Sequence, residues 1–68
     1  MIQISINNIQ QTLEAGSTVL DALEMLGREN ETMLGVALNQ TFVSKTQWAE
    51  TQLNDNDKVD ILNPISGG

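Results

Sequence analysis

The chain has 68 residues, carries a net charge of −6 and contains no His, no Cys and no Tyr. A chain of this length predicts a single small domain over residues 1–68, with a limited core and no room for a second lobe. The missing residue types remove the commonest neutral-pH base, the thiolate nucleophile and the soft metal ligands. A free-standing enzyme is therefore the weakest interpretation of this sequence.

The acidic balance disfavours nucleic-acid binding, because affinity for a phosphate backbone comes from cations that displace counterions. An acidic surface suits docking onto a basic protein patch, although it also serves solubility alone. The first residues lack a basic segment followed by an apolar block, and no apolar run approaches the length of a membrane span. We therefore expect a cytoplasmic protein without a membrane partner, monomeric when free.

The first element is predicted to be a β-hairpin. Ile2, Ile4 and Ile6 alternate with polar residues, which is the period of a half-buried strand. Asn7-Asn8 follows, and asparagine tolerates the left-handed conformations that a two-residue hairpin turn needs. Residues 9–14 then predict the returning strand, with Ile9 and Leu13 facing inward.

A helix is predicted after the hairpin. Thr18 is a good N-cap, and Asp21 stands at the position that completes a capping box. The apolar positions that recur at helical spacing are Val19, Leu20, Leu23 and Leu26. A chain this small needs every apolar face for its core, so this stripe is expected to be buried rather than to form a binding groove. We expect about three turns, weakened at Gly27 and ending near Asn30.

The second half of the chain predicts short elements and a final strand. After a connection over residues 32–35, short strands at 36–38 and 41–43 flank an Asn39-Gln40 turn. Residues 44–50 predict one helical turn capped by Ser44, with Trp48 closing the core beneath it. The cluster at 54–57 favours a turn, and the final strand spans 58–62.

This order of elements predicts an α+β fold of the β-grasp, ubiquitin-like type. A mixed sheet of four to five strands would carry one main helix on one face. The last strand would lie parallel to the first in the centre of the sheet, reached by a right-handed crossover. The residues after that strand would then project from a firm base.

The sequence ends in Gly67-Gly68, after a short exit that contains Pro64. Proline cannot donate a ladder hydrogen bond, which suits the point where a strand leaves its pairing. Glycine can be threaded through a slot because it has no side chain. A terminal carboxyl has a pKa of roughly 3.5, so it is ionised at neutral pH and can attack a nucleotide phosphate. We expect residues 66–68 to form a flexible tail that serves as a substrate.

Taken together, these residues resemble the ThiS family of sulfur carrier proteins, the small ubiquitin-like proteins of thiamine biosynthesis. The resemblance covers the whole chain. It rests on the hairpin, the helix start at 16–19 and the strand pair around 36–43 with Trp48. Its strongest part is the passage from Asp55 to Ile61 that continues to Gly67-Gly68. The family typically has glycine in the middle of that acidic turn, where this chain has Asn56. Asparagine can adopt the same left-handed conformation.

The resemblance implies a role for the tail. The Gly68 carboxylate would attack the α-phosphate of ATP in a separate adenylating enzyme, and sulfur from a cysteine desulfurase relay would convert the acyl-adenylate into a thiocarboxylate for thiazole synthase. Ser66, Gly67 and Gly68 would thread the channel of the enzyme. ATP and Mg²⁺ would belong to that partner, and this chain would bind no cofactor or metal and hold no catalytic residue. Leu62, Pro64 and Ile65 are candidate partner contacts beside the tail.

Three other functions fit a similar sequence. The small subunit of molybdopterin synthase shares the Gly-Gly end but is usually longer, and loss of its gene would cause a molybdenum-cofactor defect rather than a need for thiamine. A ubiquitin-like protein tag would join Gly68 to lysines and produce a ladder of higher masses on a blot. A plain interaction domain with an incidental Gly-Gly end would be unaffected by removal of Gly68.

Overall fold

The structure, a computed structural model, describes residues 1–28, 30 and 34–62. In chain order the elements are β1 (Ile2–Ile6), β2 (Ile9–Leu13), α1 (Val19–Met25), β3 (Gly35–Leu38), β4 (Thr41–Val43), a 3₁₀ helix (Lys45–Gln47) and β5 (Lys58–Leu62). The strands form one five-stranded sheet in the order β2-β1-β5-β3-β4. β5 is parallel to β1 and antiparallel to β3, so the predicted α+β β-grasp arrangement with a central final strand is confirmed.

Both hairpins turn on residues in the left-handed region of the backbone. Asn7 and Asn8 have φ of 51° and 69°, and Asn39 and Gln40 have φ of 50° and 70°. Positive φ at both central residues is the geometry whose twist matches that of the flanking strands. The two predicted turns are therefore confirmed.

The helix begins where the sequence predicts and ends earlier. The Thr18 hydroxyl accepts the Asp21 amide at 3.2 Å, and the Asp21 carboxylate accepts the Thr18 amide at 2.9 Å, so the capping box is present. The prediction of about three turns ending near Asn30 is wrong, because α1 has only seven residues. Gly27 has φ of 72° and donates its amide to the Glu24 carbonyl at 3.0 Å. The next amide, of Arg28, donates to the Leu23 carbonyl at 2.9 Å and satisfies another carbonyl at the end of the helix. A glycine in the left-handed conformation is a common helix stop.

A single apolar core lies between α1 and one face of the sheet. Trp48 is buried under the 3₁₀ helix as predicted, and its Nε1 donates to the Val43 carbonyl at 3.2 Å, so the polar atom of the ring is satisfied. The Ser44 side chain makes no cap hydrogen bond and instead contacts the Thr46 hydroxyl at 3.1 Å. The buried residues are Ile4, Ile6, Leu13, Val19, Ala22, Leu23, Val36, Val43, Trp48, Leu53, Val59 and Ile61.

Two apolar residues that were expected inside the core are exposed. Ile9 lies opposite Ile6 but is 64% exposed, because β2 is an edge strand and Ile9 stands beside the turn. Leu26 is also exposed, since it caps the C-terminal end of the shortened helix. Leu53 was not predicted in the core and takes a fully buried position, anchored by its amide on the Ser17 carbonyl at 2.8 Å. Within the described residues, no helix is long and apolar enough to cross a membrane.

The helix stop at Gly27 gives a test of the backbone geometry. The substitution Gly27→Ala should lower the free energy of unfolding by about 1–2 kcal/mol, because a Cβ is strained at positive φ even though open space surrounds it. Gly35→Ala is the matched control. Its Cβ would make only ordinary contacts with Leu62, at 3.7 and 3.8 Å, and should leave stability within about 0.5 kcal/mol. Urea denaturation measures both, and equal losses would contradict a conformational cause.

Candidate functional site

The candidate site is the C-terminal end of β5, where the chain leaves the sheet toward Gly68. β5 has hydrogen-bonded neighbours on both sides, with Ser5 and Ile6 opposite Lys58 and Val59, and β3 antiparallel on the other flank. Since the strand lies in the centre of the sheet, its last residues are fixed relative to the body of the protein.

An asparagine of the β3–β4 turn holds the start of β5. The Asn39 Oδ1 accepts the Lys58 amide at 2.9 Å, and the Asn39 amide donates to the Lys58 carbonyl at 2.7 Å. The Asn39 Nδ2 also donates to Asp57 Oδ1 at 3.0 Å. The side chain therefore joins the hairpin turn to the loop that leads into the final strand.

An asparagine of the β1–β2 turn holds the other end of β5. The Asn7 amide donates to the Val59 carbonyl at 2.9 Å, and the Asn7 Oδ1 accepts the Ile61 amide at 2.7 Å. Ile61 is the last buried residue before the chain leaves the described region at Leu62. Within the part of the chain that the structure describes, this contact is the last hydrogen bond on the β1 side of β5.

The acidic turn before β5 is also fixed to the sheet. Asn56 adopts φ of 71°, as expected from its place where the family has glycine, and donates its amide to the Gln3 carbonyl at 2.6 Å. Gln3 in turn donates its amide to Asp55 Oδ1 at 2.7 Å. Asp57 Oδ2 accepts the Asn54 amide at 2.7 Å, which closes the turn. The carboxylates of this turn therefore organise the backbone.

The face of the sheet opposite α1 carries an apolar patch beside the end of β5. Leu62 and Phe42 are 67% and 70% exposed. Leu62 lies opposite Gly35, and Phe42 lies opposite Ala37, so the four residues share one face across three neighbouring strands. We call Gly35, Ala37, Phe42 and Leu62 the open-face patch. Asp60 lies on the same face opposite Ala37 and adds one carboxylate to it.

Sequence reasoning identifies Leu62 and misses Phe42. The signal is present, because Val43 points inward and its neighbour on a strand must then point outward. The other predicted site residues, Pro64, Ile65, Ser66, Gly67 and Gly68, lie outside the described residues.

Two usual features of an active site, a metal centre and a pocket, can be sought among the described residues. Among residues 1–28, 30 and 34–62, no group of His, Cys, Asp and Glu is arranged to hold a metal ion. An open depression of about 170 Å³ lies at the start of β5, away from the Leu62 end. It is lined by Gln3, Ile4, Ser5, Gln10, Asn56 and Asp57.

Comparison with known proteins assigns the family. The model of the ThiS family matches residues 4–68. The sulfur carrier protein ThiS of Escherichia coli (strain K12) is 33% identical over 67 residues, a match that covers 98% of this chain and 100% of the relative. The crystal structure of the thiamine biosynthesis protein (ThiS) from Geobacter metallireducens has the same fold, with a TM-score of 0.82 at 22% identity over 98% of this chain and 100% of that one. The chain therefore belongs to the ThiS family of sulfur carrier proteins, which act in thiamine biosynthesis as carriers and not as catalysts.

Proposed function

We propose that Gly68 is the residue that carries the sulfur. A carboxylate oxygen of Gly68 attacks the α-phosphorus of ATP, pyrophosphate leaves, and an acyl-adenylate forms. The cysteine desulfurase relay passes its sulfur as a persulfide, and two partner thiols reduce it to the level of sulfide as they form a disulfide. This sulfur displaces AMP from the acyl-adenylate, which leaves a thiocarboxylate on Gly68. The thiocarboxylate donates this sulfur for formation of the thiazole ring of thiamine.

The observation that supports this proposal most is the fixation of β5. Its amides are held at Lys58 and Ile61 by two hairpin turns, and the sequence continues for six residues from 63 to its glycine end at 68. A fully extended segment of that length reaches about 20 Å from Leu62. The geometry thus supports a cargo residue presented at a limited distance from a rigid base.

The remaining chemistry belongs to partners. The family match supports an adenylating enzyme and a thiazole-forming enzyme as partners in general. We propose further that the adenylating enzyme supplies ATP and Mg²⁺, that a cysteine desulfurase relay supplies the sulfur, and that thiazole synthase receives it. Gly67 and Ser66 are small enough to pass with Gly68 through a narrow channel. We place these steps in the cytoplasm.

The adenylating enzyme is proposed to dock on the open-face patch. A site that receives Gly68 must lie within about 20 Å of Leu62, and the patch begins at Leu62 itself. Exposed apolar groups of this kind mark protein contact sites when they cluster. The Asp60 carboxylate beside the patch favours a partner surface that is apolar with a cation at its edge. Pro64 and Ile65 extend this proposed contact along the tail.

Intact-mass spectrometry tests the carrier proposal. Incubation with ATP, a sulfur source and the cognate adenylating enzyme should raise the mass by the difference between one sulfur and one oxygen, and fragmentation should locate the change on Gly68. A variant that lacks Gly68 and a reaction without ATP are the controls, and both should keep the original mass.

Other outcomes would redirect the proposal. An unaltered mass with an enzyme shown to be active would contradict it. A ladder of higher masses in a lysate blotted for this protein would favour the protein tag. A molybdenum-cofactor defect without a need for thiamine, after loss of the gene, would favour the small subunit of molybdopterin synthase.

The docking proposal is tested with three serine substitutions at similarly exposed apolar residues. Phe42→Ser and Leu62→Ser should each raise the KM of the adenylating enzyme for the carrier about tenfold, because truncating a central interface residue costs more than 1 kcal/mol. Ile9→Ser is the matched control, since Ile9 is 64% exposed but lies on the opposite face of the sheet. Its KM should stay within about twofold of the wild type. An equal rise in KM for all three variants would contradict the proposal that the adenylating enzyme docks on the open-face patch.

A further inference from the structure

We infer that Asn7 is a positioning residue for the carrier terminus. The Asn7 side chain fixes the direction in which β5 leaves the sheet, and so holds the segment before Gly68 ready for the adenylating enzyme. This inference rests on the proposed function of Gly68 and adds a residue on the far side of the strand from the open-face patch.

β1 and β5 are joined by the regular hydrogen bonds of a parallel pair as far as Asn7. In a parallel pair, alternate residues of one strand both donate to and accept from the other strand. Ser5 donates to the Asp57 carbonyl at 3.0 Å, and Asn7 donates to the Val59 carbonyl at 2.9 Å. A regular ladder would next bring the Ile61 amide to the main-chain carbonyl of Asn7.

The chain cannot continue that ladder, because it turns at Asn7 with φ of 51°. The Ile61 amide instead meets the side-chain oxygen of Asn7, at 2.7 Å. The side chain thus replaces the missing carbonyl and extends the parallel pairing by one bond. Without it, the end of β5 would, among the described residues, be hydrogen-bonded from the β3 side alone, where Leu62 lies opposite Gly35.

Few residue types satisfy both demands at position 7. Glycine accepts the left-handed backbone but has no acceptor, and most other residues are strained there. Asparagine and aspartate combine tolerance of that conformation with an oxygen on a short side chain. The turn partner Asn8 has the same kind of backbone strain, at φ 69°, but makes no hydrogen bond to residues 58–62, the described part of β5.

Loss of the Asn7 contact would change how firmly Ile61 is held before a partner binds Gly68. Ile61 stands seven positions before Gly68 (68 − 61 = 7), and a loosened Ile61 would let the whole segment sample more directions. A smaller fraction of the tail conformations would then fit the site of a partner that binds Gly68. The partner would have to fix the tail on binding, and the conformational entropy lost would weaken the affinity. Loss of one hydrogen bond of ordinary strength corresponds to about a fivefold change.

The test is a comparison of adenylation kinetics with amide exchange in a set of variants. Asn7→Gly keeps the turn and removes the acceptor; we expect faster exchange of the Ile61 amide and about a fivefold lower kcat/KM for adenylation, carried by KM with kcat unchanged. Asn7→Asp keeps an acceptor and should restore both values. Asn8→Gly relieves the same kind of backbone strain and should leave both values at those of the wild type.

Gly27→Ala separates positioning from stability. It strains the helix stop, outside β5 and the two hairpin turns, so it should destabilise the fold while leaving kcat/KM unchanged at a temperature where the variant is folded. Should Asn7→Gly fail to fold, Asn7→Gln carries the test: one more methylene moves the oxygen away from the Ile61 amide, so the changes expected of Asn7→Gly should appear here too. Glutamine tolerates a positive φ in this chain, since Gln40 has φ of 70°. Across the folded variants, kcat/KM should fall as Ile61 exchange rises.

Two results would overturn the inference. One is fast Ile61 exchange in an Asn7 variant with kcat/KM equal to that of the wild type. The other is an equal loss of kcat/KM in Asn7→Gly and Asn8→Gly. Failure of the wild-type protein to be adenylated would instead contradict the proposed function of Gly68, so the two failures are distinguishable.

Discussion

The structure depends on how its last strand is held. A chain of this size has a small core. Under the proposed function another protein has to find the C-terminal residue, so the strand that leads to it must be held in place. β5 meets the requirement by lying between β1 and β3, and by contacts at both ends with asparagines of the two hairpin turns. Asn7 and Asn39 each stand first in their turn, and each gives a side-chain oxygen to an amide of β5. The same residue type therefore makes the turns and fixes the strand.

A carrier role agrees with the apolar core of the described residues and with carboxylates that bind backbone amides. In the proposed function, partners activate the carrier and accept its sulfur, so the body of this chain has to fold, to present its C-terminal residue and to offer a surface for docking. In the described residues every buried side chain is apolar apart from the ring nitrogen of Trp48, which is paired with the Val43 carbonyl. The acidic turn before β5 uses its carboxylates on backbone amides and not on a metal. The open-face patch is the exception, because Phe42 and Leu62 remain largely exposed.

Most of the fold is predictable because its signals are local. Alternation locates the strands, paired asparagines locate the turns, and the Thr18 capping box locates the start of the helix. The errors arise mainly where distant parts of the chain decide the outcome. Ile9 has the right period for the core but lies on an edge strand, and Leu53 has no periodic context but is anchored by the Ser17 carbonyl. The early end of α1 is a local error, since Gly27 stops the helix and does not merely weaken its last turn.

The candidate site is predictable to a smaller extent. Gly68 is identified from the sequence alone and lies outside the described residues, so it stays a proposal. Leu62 is predicted as a contact, and Phe42 is recognised only when the strand register places it on the same face. The role of Asn7 has no signal in a single sequence, because Asn7-Asn8 already has a sufficient reason in the turn. Its contact with Ile61 depends on a parallel strand more than fifty positions away.

Native-state hydrogen exchange of the wild-type protein tests the central claim that β5 is the fixed base of the carrier. The amides of Lys58, Val59 and Ile61 should exchange only through global unfolding, with the same free energy that urea denaturation gives. Amides of the edge strand β4 should exchange through smaller openings. Exchange of the Ile61 amide at the rate of an exposed group, or a lower free energy in β5 than in β4, would contradict it.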